Sequence, residues 1–193
     1  MLSVVFEGPT DEPVVRKLAA EAGFEITLAM AAQGKARLDA ALQKYVAAAR
    51  RSPWFVLRDL DSDAECAPQW IEGRTLGELC LRIAVRETES WLLADDEAFS
   101  AFFRVSRARV PPRPDELRDP KRAIVDLVQH STSPRLRAAI VPAPGRATQV
   151  GPGFVATIVE FATNHWRPAV ASRRSESLER ARRAMSSLRQ RWS

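Results

Sequence analysis

Leu2-Ser3-Val4-Val5-Phe6-Glu7-Gly8-Pro9-Thr10-Asp11 begins with a short, mostly apolar run and stops at a Gly-Pro turn. A run of that length closed by turn residues reads as a buried strand. Thr10 or Asp11 then caps a helix, Pro13 fits its first turn, and Val14, Val15, Leu18 and Ala19 supply its apolar stripe. Gly23 ends that helix, and Phe24 to Met30 reads as a second strand. Gly34 and Lys35 open a long helix to about Arg51, with Leu38, Leu42, Tyr45, Val46 and Ala49 on one face. Pro53 stops it, and Trp54-Phe55-Val56-Leu57 forms a third strand that runs into Arg58-Asp59-Leu60-Asp61-Ser62-Asp63. Leu79 to Val85 reads as a fourth strand after a loop that holds Trp70. Arg86 to Phe103 reads as one helix.

Strand and helix thus alternate, which predicts an α/β fold: a Rossmann-like parallel sheet of about four strands flanked by helices. The second half reads differently. Val110 to Asp119 is a loop rich in proline and charge. Helices follow at Asp119 to about His130, Pro134 to Ile140, Phe154 to Trp166 and Ser175 to Trp192. The expected division is an α/β core over 1–104 and a helical extension over 105–193, packed together as one unit.

The 193 residues are 46% hydrophobic and 27% charged, ordinary for a chain that buries its own core. Two cysteines, Cys66 and Cys80, and two histidines leave little material for a zinc site or a Ser/His/Asp site. No apolar stretch reaches the roughly 20 residues that cross a bilayer. The start of the sequence lacks a basic targeting region, so the expected location is the cytoplasm, with no membrane partner. The formal charge of +5 is uneven. Asp59 to Glu97 holds eleven acids and three bases, whereas the stretch from Arg167 onward holds eight arginines and two acids. The basic stretch suits phosphate backbones, with Arg173, Arg174 and Arg182 as candidates. It equally suits the solvated face of one amphipathic helix.

Acids follow the predicted strands directly: Glu7 and Asp11 after the first, Asp59, Asp61 and Asp63 after the third, Glu87 and Glu89 after the fourth. In a parallel sheet these strand ends share one edge, where sites form. Two carboxylates about 5 Å apart repel by roughly 3 kcal/mol at an effective dielectric of about 20. Mg²⁺ or Mn²⁺, one ion or two, would relieve that repulsion, since hard cations take oxygen ligands; protonation is the other relief. In an extended segment residues i and i+2 face the same side, so Asp59 and Asp61 can share an ion, both directly or one of them through water. Asp63 reads as a loop acid, and Asp95, Asp96 and Glu97 as solvated acids two turns into the helix.

Phe6-Glu7-Gly8-Pro9-Thr10-Asp11 and Val56-Leu57-Arg58-Asp59-Leu60-Asp61 resemble the Glu and DxD motifs of TOPRIM domains. The Asp four residues after the Glu resembles most the TOPRIM nucleases of the OLD (overcoming lysogenization defect) type. Arg82 to Asp95, Asp119-Pro120-Lys121 and the segment from Phe161 through Trp166 to Leu178 resemble small bacterial TOPRIM-like proteins. The resemblance implies a metal-dependent nuclease, with Glu7 as ligand or acid/base, Asp11 on a second ion, Asp59 and Asp61 on the principal ion, and Glu89 or Glu87 as a further ligand. It also implies phage defence beside a separate AAA- or ABC-type ATPase. This chain has no Walker A sequence of its own.

Phosphodiester cleavage on DNA or RNA would use Arg58, Lys35 or Arg86 to neutralise the phosphate. An aspartyl-phosphate phosphatase of the haloacid dehalogenase-like kind also uses a DxD. A non-catalytic module that binds metal, nucleic acid or a partner, as a homo-oligomer or alone, needs no such geometry.

Overall fold

The computed structural model describes residues 1–193 and has the alternating first half that the sequence predicts. Strands β1 (Leu2–Phe6), β2 (Ile26–Ala31), β3 (Trp54–Asp59) and β4 (Cys80–Ala84) form one sheet in the order β2-β1-β3-β4. Every pairing is parallel. Helix α1 (Asp11–Glu21) connects β1 to β2, and α2 (Lys35–Ala49) crosses back to β3.

Side-chain alternation along the strands divides the core in two. Val4, Phe6, Phe55, Leu57 and Ala84 face α1 and the helices of the second half. Val5, Val56, Leu81 and Ile83 face Leu38, Leu42 and Val46 of α2. Both faces are therefore covered, as near-continuous apolar strands require. The short helix α3 (Ala67–Ile71) lies within the stretch expected to be all loop. It buries Trp70, which the sequence places in a loop, between the guanidinium groups of Arg58 and Arg74 at 4.2 and 3.9 Å.

The helix expected over 86–103 is two helices, α4 (Thr88–Ala94) and α5 (Asp96–Phe103). Asp95 breaks the run and caps α5, accepting the Ala98 N–H at 3.2 Å. It is fully buried rather than solvated, because Arg167 holds it with backbone and side-chain N–H groups at 2.7–3.0 Å. Helices α6 (Pro120–Val128), α7 (Pro134–Ile140), α8 (Phe154–Asn164), α9 (Pro168–Ala171) and α10 (Glu176–Arg191) complete the chain. Asp119 caps α6 as its position predicts, accepting the Arg122 N–H at 2.7 Å.

Gly151 closes the turn between α7 and α8, donating its N–H to the Ile140 carbonyl at 2.8 Å. A Cβ there would meet backbone atoms of Ala139 and lie 2.7 Å from the Ile140 carbonyl carbon. Gly151→Ala is expected to destabilise the fold by about 2 kcal/mol, the usual scale of overpacking, measured as a lower urea midpoint at unchanged slope.

Candidate metal centre

β1 and β3 are neighbours, yet α1 and α2 leave them on opposite faces. The direction of winding reverses between them, which opens a crevice at their C-terminal ends. Glu7 follows β1 and Asp59 ends β3. Glu7 Oε1 accepts the Asp59 N–H at 2.9 Å and so bridges the two strand ends. Asp59 Oδ1 accepts the Thr88 N–H at 3.0 Å. The Thr88 hydroxyl donates to Asp11 Oδ1 at 2.6 Å, and Asp11 Oδ2 accepts the Gly8 N–H at 2.9 Å. One continuous hydrogen-bonded chain therefore fixes the ends of β1 and β3 and the first turns of α1 and α4.

Glu87 and Glu89 join from the start of α4. Glu87 Oε2 accepts the Lys121 N–H at 3.0 Å. Lys121 Nζ lies 3.5 Å from Glu87 Oε1 and 3.6 Å from Glu89 Oε1. Glu89 is buried, and its Oε1 has no hydrogen-bond partner. The sequence-predicted carboxylates Glu7, Asp11, Asp59, Glu87 and Glu89 thus gather in one place.

Asp61 stands at the rim. Its backbone is left-handed at φ 49°, so the i, i+2 rule for extended chain does not reach it. Its carboxylate meets Lys35 at 2.8 Å, and Lys35 also meets Asp63 at 2.8 Å. These bonds push the Lys35 pKa up to about 12.

Arg58 follows the strand alternation and points to the face opposite Asp59. It is 2% exposed, forks onto both oxygens of Asp39 at 2.8 Å and reaches Asp63 at 2.6 Å. Burial alone would lower its pKa, but these partners outweigh that and raise it. The expected phosphate ligand is therefore a buried clamp. Arg86 is likewise engaged, donating to the carbonyls of Asp61 and Ala64 at 2.8 and 2.9 Å. Arg174 binds the Pro111 carbonyl and Asp96, and Arg182 binds Glu21 and Glu179, so both tie the C-terminal helices to the first half. Arg173 is exposed.

Two members of the network lie in stretches that carry the resemblance but are not singled out by the sequence as site residues. Thr88 reads as an ordinary first-turn residue. Lys121 lies 34 positions from Glu87 and meets it only because α6 packs on α4.

Burial pushes the carboxyls up: Glu7 to about 7, Glu89 to about 7, Asp59 well above its ordinary value, and Asp11 and Glu87 upward as well. Mutual repulsion adds to burial at Glu7, Asp59 and Glu89. Lys121 responds in kind, its pKa raised by Glu89 and Glu87 against its own burial. In the unfolded chain Glu7 and Glu89 ionise near their ordinary 4.5, whereas the folded protein holds their protons to about 7. Their stabilisation is complete below 4.5 and lost as the pH rises through 7. In EDTA the melting temperature is therefore expected to fall between pH 5 and pH 8. A bound divalent ion should flatten that slope and release protons on binding.

The donor set fits a hard cation: oxygen ligands only, five carboxyls against one ammonium, and the unpartnered Glu89 Oε1. No group of three is drawn in to the spacing of a finished coordination shell. Glu7 and Asp59 each commit one oxygen to a backbone N–H instead. Comparison with family models, curated proteins and solved structures brings up no match, so the reading of this edge rests on its own geometry.

Proposed function

We propose that this edge is a divalent-ion site for phosphodiester cleavage of DNA or RNA. One observation carries the reading: carboxylates delivered after three different strands gather at one sheet edge, where Glu87 and Glu89 share the single ammonium of Lys121 and one buried carboxylate oxygen has no partner. Apolar packing gains nothing from such a cluster, because each added buried charge costs free energy without a counter-charge. Glu7, Asp59 and Glu89 would hold Mg²⁺ or Mn²⁺, with Asp11 or Glu87 beside them. The ion supplies Lewis-acid polarisation of a phosphoryl oxygen and an acidified water. Lys121 stands beside Glu87 and Glu89 as a fixed cation, and Lys35, partly exposed, pairs with Asp61 and Asp63. The divergence of Asp59 from Asp61 gives an aspartyl-phosphate mechanism no paired acid.

The test is calorimetric titration of Mn²⁺ and Mg²⁺, run beside cleavage of supercoiled plasmid and of fluorescent single-stranded RNA. Micromolar to low-millimolar binding with cleavage that EDTA stops is the expected result. Binding without cleavage of either substrate would move the site to a regulatory role. No binding at all would leave a protonated carboxyl network and remove the catalytic reading.

A further inference from the structure

The sheet ends in β4, whose outer side carries no fifth strand. A groove of about 880 Å³ runs along that side and shares no residue with the carboxylate cluster. Its two walls follow from the alternation of β4. Leu79, Leu81, Ile83 and Val85 join Ile71 of α3 in an apolar wall. Arg82 points the other way, as Cys80 and Ala84 do, and joins Arg180, Arg183 and Arg191 of α10.

A parallel ladder uses the N–H and C=O groups of every second residue. The Leu60 N–H donates to the Ala84 carbonyl, which turns Cys80, Arg82 and Ala84 toward β3 and turns Leu81 and Ile83 outward. The Leu81 N–H already donates to the Leu79 carbonyl at 3.1 Å, and the outward Leu81 carbonyl is held by Arg82, whose Nη1 donates to it at 2.7 Å. Arg82 has no carboxylate partner, and its Nε is buried without a hydrogen bond. A charged side chain folded over an open strand edge is a common guard against stray pairing.

None of the four acids that line the groove, Glu65 among them, pairs with Arg82. Asp115 is held by Ser175 and Ser177, Glu176 pairs with Arg180, and Glu78 lies 4.0 Å from Arg191. Arg180 and Arg183 are bonded only to glutamates one turn back on their own exposed helix face, a weak kind of pair that exchanges readily.

We propose that the groove receives an extended segment of a partner protein as a fifth strand on β4, one in which carboxylate side chains alternate with aliphatic ones. The ladder then takes up the outward groups of Ile83 and, as Arg82 turns to the incoming carboxylates, the Leu81 carbonyl. The aliphatic side chains meet the apolar wall, and the carboxylates meet Arg82 and the arginines of α10. From Leu79 to Val85 the groove spans roughly 20 Å at about 3.3 Å per residue, the length of a hexapeptide.

The test is fluorescence anisotropy of a labelled Glu-Val-Glu-Ile-Glu-Val peptide on the full chain, in EDTA so that the carboxylate edge takes no part. Saturable binding is expected. It should weaken about tenfold or more when the glutamates become lysines, or when alternate backbone nitrogens are methylated. Arg82→Glu should weaken it by a similar factor. Arg180→Glu with Arg183→Glu, both on the exposed helix face and safe for the fold, should weaken it and flatten its salt dependence. Three results would each overturn the proposal. One is no saturation below millimolar peptide. Another is binding indifferent to methylation, which would mark a pocket for small anions. The third is a dimer in light scattering that Arg82→Glu splits, which would give the edge to a second copy.

Discussion

Asp59→Asn is expected to raise the melting temperature of the ion-free protein and, on the proposed ion site, to remove its response to Mn²⁺. The two effects have opposite signs because one carboxylate does two things. In the folded chain Asp59 sits against Asp11, Glu89, Glu7 and Glu87, and burial with that repulsion lifts its pKa well above the ordinary value. The amide keeps an oxygen for the Thr88 N–H but carries no charge to repel its neighbours. A gain of about 1 kcal/mol is expected, which is about 2–4 °C for a chain of this size. The loss is larger. Removing even a hydrogen-bonded supporter of a metal ligand costs about 10–100-fold in affinity, so loss of a ligand should exceed about a hundredfold. Any Mn²⁺-dependent cleavage should fall with it. Differential scanning fluorimetry with and without Mn²⁺, beside calorimetry, reads both signs in one pair of samples. An ion-free protein that melts lower, or a Mn²⁺ response equal to wild type, would show that Asp59 is a structural acid only.

Arg58→Ala is expected to destabilise the fold more than any single change at the carboxylate edge. The guanidinium is buried, forks onto Asp39, reaches Asp63, donates to the Asp59 carbonyl and stacks on Trp70 at 4.2 Å. Breaking a buried pair by removing one partner costs about 3–5 kcal/mol. Asp39 and Asp63 keep some contact with water, which places this case near the lower figure. Roughly 3 kcal/mol lowers the melting temperature by roughly 10 °C. Arg58→Lys should recover little of it, because an ammonium neither forks onto Asp39 nor stacks flat on an indole. Urea unfolding measures the loss. Mn²⁺ titration below the transition should still show binding, which separates the clamp from the catalytic duty expected of this residue.

The contrast between Arg58 and Asp59 shows what a sequence of this kind makes legible. The strand that carries both is plain, because Trp54 to Leu57 is apolar and bounded by Pro53 and a run of aspartates. Asp59 at the sheet edge follows from the parallel topology, and so do Glu7 and the first-turn acids of α4. Adjacent residues on a strand face opposite ways, so Arg58 could not join Asp59. Asp61 fails for a different reason: strand geometry ends at Asp59, and two residues later the backbone is left-handed. Asp95 looks solvated because its partner Arg167 is 72 positions away. Lys121 and the buried seat of Trp70 also depend on contacts between distant segments, and no local pattern encodes them. Local chemistry therefore gives the elements and their order, whereas the pairing of charges depends on how the second half folds back.

That folding back has a consequence for how the chain acquires its structure. The face of the sheet that carries Phe6, Phe55, Leu57 and Ala84 shares one core with Phe161, Trp166, Leu178, Met185 and Leu188. The opposite face needs only residues up to Ile83. During synthesis one side of the sheet can close once β4 has left the ribosome, while the other stays open until Leu188 emerges about 100 residues later, several seconds at roughly 5–20 residues per second. In that interval the nascent chain shows a broad apolar surface, and the β4 edge is guarded by Arg82 without the arginines of α10 beside it. Until the last helix docks, the nascent chain therefore carries the exposed apolar surface that makes folding intermediates prone to aggregate.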